Sequence, residues 1–423
     1  MWSSQRTPAD EHSHPQPPAS FQVVDILIAD NFPVGAVAEL RGAGHTVRHE
    51  PGLGADDIAG AIGDASALVV RGTNVGAAVF DAGKALRLVI RAGAGVNTID
   101  VPAASQAGVL VANTPGRNAI AVAELVLGLI TAIDRRIPDA VADLRAGRWD
   151  KGRYSKAEGL AGKTLGIVGV GEIGLEVAKR ATSFDMHVIA VQKAGRPPGV
   201  LRRIGEIGIG LVSDDDALLT TADVVSIHVP ATQETAGLVD ERFLATMKEG
   251  AILINTSRGD VVDEEALVAA MDTRGIRAGL DVFRDEPSGS EGDFTSRLAA
   301  HPSVYGTHHI GASTEQAQRA IATEVVEIVA AFTRGALRNC VNLADQPAGD
   351  VLTVQHVNRV GVLAGVLGVL RDAGINVTTM ENRLFTGGHT ATASIRVDGE
   401  LGEDIAATVE ALDTVVSVTV VRT

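Results

Sequence analysis

Cysteine is almost missing from this chain. Cys340 is the only one in 423 residues, so no internal disulfide can form. A reducing compartment, the cytoplasm, is the expectation that follows. Aromatic residues supply only 3% of the sequence, which leaves Ala, Val, Leu and Ile to build the core. No apolar run reaches the roughly 20 residues of a membrane helix. Positive charge is in deficit, with a formal net charge of −15. That balance argues against a nucleic-acid partner, which calls for a basic face. It leaves room for a small anionic ligand, because local arginines decide that and not the sum. Residues 1–22 are polar and Pro-rich and lack an apolar stretch. They read as a disordered tail and not as a signal peptide. His12 and His14 in that tail have no suitable neighbours, and no metal site is expected.

What is present is a globular composition, 45% hydrophobic and 21% charged, at a length that calls for two or three domains. From Val23, short apolar runs (VVDILIAD, HTVRHE, ALVVRGT, ALRLVIRAG) alternate with helical stretches. That pattern predicts a parallel sheet with crossover helices. A long apolar-faced helix is expected from Asn118 to about Gly147, as a link between lobes and a dimer contact. A second series follows from Lys163: KTLGIVGVGEIG, HVIAVQ, VVSIHVP, AILINTS, RAGLDVF and SVYGTHH. It has the rhythm of a doubly wound Rossmann-like sheet. The helix after Thr314 is expected to return to the first lobe. The expected domains are a discontinuous first lobe (23–117 and 310–338) and a second lobe (118–309). A linker (339–349) and a C-terminal βαββαβ module of ferredoxin-like type (350–423) complete the chain.

Gly169, Gly171 and Gly174 form G-x-G-x-x-G between a strand run and a helix. There the glycines permit a tight turn, a close approach to a pyrophosphate, and packing of helix on strand. The helix N-terminus offers free N–H groups to the phosphates. An acid that would bond the ribose is expected about 20 residues on. Gln192 stands at that place, with Lys193 and Arg196 just after. Both NAD and NADP therefore remain open.

Oxidising a hydroxy acid needs a cation for the carboxylate, a base for the hydroxyl proton and a carboxylate to orient that base. Arg258 in NTSRGDVVDEEAL, Asp281 and Glu286 in GLDVFRDEP, and His309 in THHIGAST sit at strand ends of the second lobe. Ligands bind at the carboxyl ends of such strands, so Arg258, Glu286 and His309 are the expected catalytic set.

These motifs, with LGIVGVGEIG and MKEGAILINTS, resemble the D-isomer-specific 2-hydroxyacid dehydrogenase family from about residue 23 onward. The resemblance implies the same roles for Arg258, Glu286 and His309. It places Asp281 beside the nicotinamide carboxamide, and adds Glu172, Ile173, Val229, Thr256 and Gly311 as dinucleotide contacts. It implies 3-phosphoglycerate as substrate, in the first step of serine synthesis, with Arg71, Arg91, Asn97 and Lys151 on the substrate side. The C-terminal module resembles an ACT domain. There His356, Asn358 and Asn376 match residues that contact serine, an inhibitory effector. A homo-oligomer is implied, with dimers through 118–147 and tetramers through the ACT domains. Two departures stand out: His308 where the family has Pro, and Gln192 where it has an acid. The alternatives are a glyoxylate/hydroxypyruvate reductase of the same fold and a non-catalytic dinucleotide-sensing corepressor.

Overall fold

The structure, a computed structural model, describes residues 23–287, 291–343 and 349–422. The expected tail, with His12 and His14, and residues 344–348 of the expected linker lie outside the described residues. The chain divides into two compact units, Met1–Asn342 and Leu343–Thr423.

The first unit opens with β1 (Asp25–Ile28), α1 (Val34–Gly42), β2 (Thr46–His49), α2 (Ala55–Ala61) and β3 (Ala67–Val70). It continues through α3 (Ala77–Ala82), β4 (Leu88–Arg91), α4 (Val101–Gln106) and β5 (Leu110–Asn113). These strands form one parallel sheet in the order β2-β1-β3-β4-β5. Central strands such as ALVV in β3 are buried on both faces, because helices cover both sides of a parallel sheet. β5 was not among the expected strands; its LVAN is short and ends in a polar residue.

The long helix expected from Asn118 is two helices, α5 (Ala119–Arg135) and α6 (Ile137–Arg145). The chain turns between them at Arg136, which holds φ 53. Pro138 is the cause. It has no N–H to donate, and its ring clashes with the carbonyl four residues back, but it sits well in a new first turn.

A second sheet follows: β6 (Thr164–Val168), α7 (Glu172–Thr182), β7 (His187–Val191), α8 (Pro198–Ile207), β8 (Gly210–Val212) and α9 (Asp215–Thr221). Then come β9 (Val224–Ile227), α10 (Glu241–Thr246), β10 (Ile252–Asn255), α11 (Glu264–Arg274), β11 (Arg277–Leu280) and β12 (Val304–Gly306). Its parallel order is β12-β11-β10-β9-β6-β7-β8. The chain leaves β6 in one direction and resumes at β9 in the other, so the switch point lies beside β6. The three-residue β8 also escaped the sequence pattern.

α12 (Glu315–Thr333) packs Ile321, Val325, Ile328 and Val329 against Val24, Ile26 and Leu40 of the first sheet's core. Its Glu324 is only 3% exposed. That carboxylate accepts from Arg338 Nε (2.7 Å), from Asn339 Nδ2 (2.8 Å) and from Arg117. It thereby ties α12 to the segment entering α5 and to the segment leaving the unit. The first residues of the expected linker are not free. Asn342 accepts from Val111 N (2.9 Å) and donates to Val109 O (2.8 Å), so residues 339–342 run along β5.

The second unit is β13 (Val351–Val357), α13 (Val362–Asp372), β14 (Val377–Leu384), β15 (Thr390–Val397), α14 (Glu403–Glu410) and β16 (Val415–Val421). Its sheet is antiparallel, in the order β14-β15-β13-β16. Alternate residues of β13, Leu352, Val354 and His356, are buried, as one covered face requires. Leu352 and Val354 join Val366 and Leu370 of α13 in a core of their own. No helix of the described residues is long and apolar enough to cross a membrane.

Replacing Glu324 by Ala is expected to strip three donors of a buried acceptor and lower the stability of the first unit by about 2–3 kcal/mol. Urea unfolding followed by circular dichroism reads this as a lower midpoint; an unchanged midpoint refutes the clamp.

Candidate active site

The glycine turn joins β6 to α7. Gly169 holds φ 101, and a Cβ there would strike the His228 carbonyl. A Cβ on Gly174 would strike the Gly169 carbonyl, so helix and turn touch only because both residues are bare. Gly171 caps α7 and faces open space. That is the cradle a pyrophosphate needs, with free N–H groups at the helix start. Ile173 packs inward against the core, and Val229 packs against the neighbouring cluster. The Thr256 hydroxyl is buried without a partner within the protein, an orphan that a bound ligand would satisfy. These features fit a dinucleotide. The Glu172 carboxylate is held by Arg203 Nη1 of α8 at 2.8 and 2.9 Å.

Asp281, just past β11, is 2% exposed. Its carboxylate accepts from Thr307 Oγ1 (2.6 Å) and from the N–H groups of Ile310 and Gly311 (both 2.8 Å). Its carbonyl accepts from His309 N at 2.8 Å. The loop 307–311 is therefore wound around one residue. His309 lies within it at φ 52, a strained backbone for a non-glycine. Gly311 packs closely here, since a Cβ would sit 3.0 Å from Asp281 Oδ2. The sequence reading gave Asp281 to the cofactor; the partners it has here are those of the loop that carries His309.

His309 Nδ1 lies 2.7 Å from Glu286 Oε2. Glu286 Oε1 accepts from Phe283 N at 2.7 Å, which aims the carboxylate. Burial works against the charge of Glu286. The hydrogen bonds from His309 and Phe283 and the positive charge of Arg258 outweigh it, so its carboxyl sits below the usual carboxylate range. With Nδ1 donating to a carboxylate, Nε2 is the nitrogen left to take a proton.

Arg258 leaves the end of β10. Buried Asn255 shapes its turn, accepting from Ser257 N (3.0 Å) and donating to Arg258 O (2.9 Å). Arg258 Nη2 reaches across to Asn97 Oδ1 of the first lobe at 3.3 Å. Arg91 ends β4 and Arg71 follows β3. The backbone at Arg71 is fixed by Asp30, which accepts its N–H at 2.6 Å and the N–H of Thr73 at 3.2 Å. Burial, then the charges of Arg258 and Arg71, push the Arg91 guanidinium down to about 10, with Asp30 countering. Its Nε is buried without a partner. Burial also draws the Arg258 guanidinium down, and Glu286 opposes this. Arg91 is thus coupled in charge to Arg71 and Arg258, and Arg258 to Glu286 of the His309–Glu286 pair. Asp30 and Asn255 were missed, although each stands at the carboxyl end of a strand run in the sequence.

Lys151 is exposed and is not brought to this cluster by any described contact. Its loop is pinned instead by Asp143, which accepts from Arg148 Nε (3.0 Å), Arg153 Nη1 (3.0 Å) and Tyr154 OH (2.6 Å). In the second unit the three expected effector residues do not converge. His356 is 2% exposed and lies 3.1 Å from Asn382 Oδ1 and 2.9 Å from Val357 O. Asn358 donates to Gly388 O at 2.8 Å, beside the start of β15. Asn376 accepts from Asp398 N, beside its end. β13 and β14 both run antiparallel to β15, so the end of one and the start of the other lie at opposite ends of β15.

Residues 127–311 match the model of the D-isomer specific 2-hydroxyacid dehydrogenase NAD binding domain. The chain is 40% identical over 329 residues to the D-3-phosphoglycerate dehydrogenase of Methanocaldococcus jannaschii, covering 77% of this chain and 60% of that one. It is 38% identical over 381 residues to the enzyme of that name from Mycobacterium leprae, covering 90% of this chain and 67% of that one. The chain thus spans about 60% of the length of the M. jannaschii protein. Among solved structures, NAD+-bound 3-phosphoglycerate dehydrogenase of Entamoeba histolytica aligns with a TM-score of 0.62 at 26% identity. That alignment covers 76% of this chain and 99% of the other.

Replacing Asp281 by Asn substitutes an amide NH2 for one carboxylate oxygen, which can no longer accept. Hydrogen exchange should show the amides of Ile310 or Gly311 losing protection by about tenfold or more, the scale of one charged hydrogen bond. Full protection at both positions would refute the loop assignment.

Proposed function

The chain belongs to the D-isomer specific 2-hydroxyacid dehydrogenase family, and from that premise we propose that it oxidises 3-phospho-D-glycerate to 3-phosphohydroxypyruvate. One observation carries the choice of substrate: Arg91 feels the charges of both Arg71 and Arg258, and Arg258 in turn that of Glu286, so a chain of three guanidinium groups leads to the His309–Glu286 pair. A single carboxylate would need one of them. A phosphate and a carboxylate on one small molecule need all three.

NAD, when bound at the glycine turn, supplies the hydride acceptor. Arg258 holds the carboxylate and the C2 oxygen. His309 Nε2 takes the hydroxyl proton as the hydride leaves C2. Glu286 steadies the charged imidazole that results and keeps Nδ1 protonated. Arg91 and Arg71 hold the phosphate, and Asn97 braces Arg258 from the opposite lobe. The reaction would open the synthesis of serine, in the cytoplasm.

The C-terminal unit, with its βαββαβ order, supports an ACT regulatory domain binding serine. Because Asn358 and Asn376 lie at opposite ends of one sheet, a strand length apart, a site using both requires two copies of the domain. A homo-oligomer is further supported by the exposed apolar side chains of Ile137, Val141, Leu144 and Trp149 on α6 and the loop after it. The glyoxylate/hydroxypyruvate alternative leaves Arg71 and Arg91 without a partner charge.

His309→Asn is expected to lower turnover of 3-phosphoglycerate by at least about a hundredfold, the usual scale of general-base catalysis, while dinucleotide affinity holds. Steady-state rates and a binding titration check this; undiminished turnover sinks the assignment. Arg91→Gln should raise the KM for 3-phosphoglycerate by about tenfold or more, the scale of one charge-assisted hydrogen bond, and spare that for unphosphorylated D-glycerate. Equal losses on both substrates would remove the phosphate role.

A further inference from the structure

We propose that Glu264, the first residue of α11, is a positioning residue for the His309–Glu286 pair and acts through the backbone of Arg284. The inference rests on the catalytic reading of that pair and concerns a carboxylate outside it.

Glu286 meets His309 only if the turn that carries it, residues 283–286, keeps its shape and place. The turn is not a relaxed one. Asp285 within it holds φ 58, a left-handed backbone that few non-glycine residues adopt. Its internal bond, from Phe283 N to Glu286 Oε1 at 2.7 Å, aims the carboxylate but does not tie the turn to the rest of the lobe.

Glu264 supplies that tie. Its Oε1 accepts from Arg284 N at 2.8 Å, from twenty positions away in the chain. Two successive N–H groups, those of Phe283 and Arg284, are thus taken by two glutamates, one inside the turn and one outside it. The base of Glu264 is itself fixed. It follows the N-cap Asp263, whose Oδ1 accepts from Glu265 N and Ala266 N, both at 3.1 Å. An acid in the first turn of a helix ordinarily complements the helix dipole. The bond to Arg284 gives this one a target in the site.

Gly259 is a second, independent observation. A Cβ there would lie 2.2 Å from the Phe283 carbonyl carbon and 2.5 Å from Arg284 N. The backbone next to Arg258 is therefore flush against the same peptide that Glu264 holds. The segment 258–264 seats the turn 283–286, so Arg258 and Glu286 take their places together. The Arg284 side chain adds little. It is exposed, with Nη2 3.4 Å from Val262 O and Nε 3.8 Å from Asp260 Oδ1.

The test is steady-state turnover of 3-phosphoglycerate with NAD by the full-length chain, with an NADH titration of each variant to check that the second lobe is intact. Glu264→Ala is expected to lower kcat by about tenfold or more, the scale of one charge-assisted hydrogen bond. The KM for 3-phosphoglycerate and the affinity for NADH should change by less than about threefold, because neither the arginines nor the glycine turn depends on this bond. Glu264→Gln keeps a neutral acceptor and should lose only about threefold in kcat. In a chain already carrying Glu286→Ala, Glu264→Ala should cost less than about twofold further, since it acts through Glu286. A merely structural role would cost the same in both backgrounds. The proposal is overturned if Glu264→Ala keeps kcat within about twofold, if it weakens NADH as much as it lowers kcat, or if it costs as much with Glu286→Ala as without. Should Glu264→Ala not fold, Glu264→Gln decides, and an undiminished kcat there overturns the proposal. In each of these cases the catalytic reading stands. If Glu286→Ala by itself leaves kcat undiminished, both fail.

Discussion

The carboxylate of Asp281 is the point on which the chemistry of this fold turns. Asp281 ends a buried strand and has almost no contact with water. Such a charge is tolerated only if donors surround it, and a single loop provides them: the Thr307 hydroxyl and two consecutive backbone N–H groups. The electrostatic need of the aspartate and the position of His309 are met by the same bonds. His309 is held at φ 52, which an unconstrained loop would relax away. A histidine so fixed meets Glu286 without searching for it. Glu286 in turn is aimed by the Phe283 N–H, three residues back in its own turn. His309, Glu286 and the strand end are thus joined by one continuous set of hydrogen bonds.

The two lobes meet here through charge. Arg258 comes from the second lobe, Arg71 and Arg91 from the first, and Asn97 touches Arg258 across the gap. Asp30 shows how the first lobe contributes with so little sequence signature. Among the described residues, its carboxylate accepts only from the segment Arg71–Thr73. It gathers the N–H groups of Arg71, Gly72 and Thr73 and so sets the backbone from which Arg71 projects. Glu324 does comparable work at the chain crossings, where a buried acid gathers Arg117, Arg338 and Asn339. In both cases a carboxylate organises donors from distant segments.

This division explains what could be read from the sequence. Gly169, Gly171 and Gly174, and the set Arg258, Glu286 and His309, are legible because each is tied to a local pattern of strand end, turn and helix start. Asp30 acts on residues about forty positions away in the chain, a pairing that no periodicity reveals. The break at Arg136 is a different failure: Pro138 was visible, but the apolar stripe of α5 runs on smoothly enough to mask it. The effector residues are a different case, because within one copy they do not meet. Asn358 and Asn376 are close in sequence, yet β13 and β14 run parallel with β15 between them. The end of one strand and the start of the next are therefore a full strand length apart.

The guanidinium cluster has a consequence for how the molecule balances stability against binding. Three like charges near one another are unfavourable; a pair at contact near a protein surface costs on the order of 1–4 kcal/mol. Arg91 bears the largest share, because burial and both neighbours act on it together. Folding alone would not select this arrangement, since Asp30 and Glu286 offset it only in part. A polyanion in the cleft removes the repulsion and fills the unmet hydrogen bonds at once. The energy that the fold loses in holding the cluster together is thus recovered on binding, and only a ligand with more than one negative charge recovers it in full. On the proposed substrate, selectivity for a doubly anionic hydroxy acid would come from the unliganded state as much as from the contacts of the bound one. A substrate with a single carboxylate would leave part of the repulsion in place.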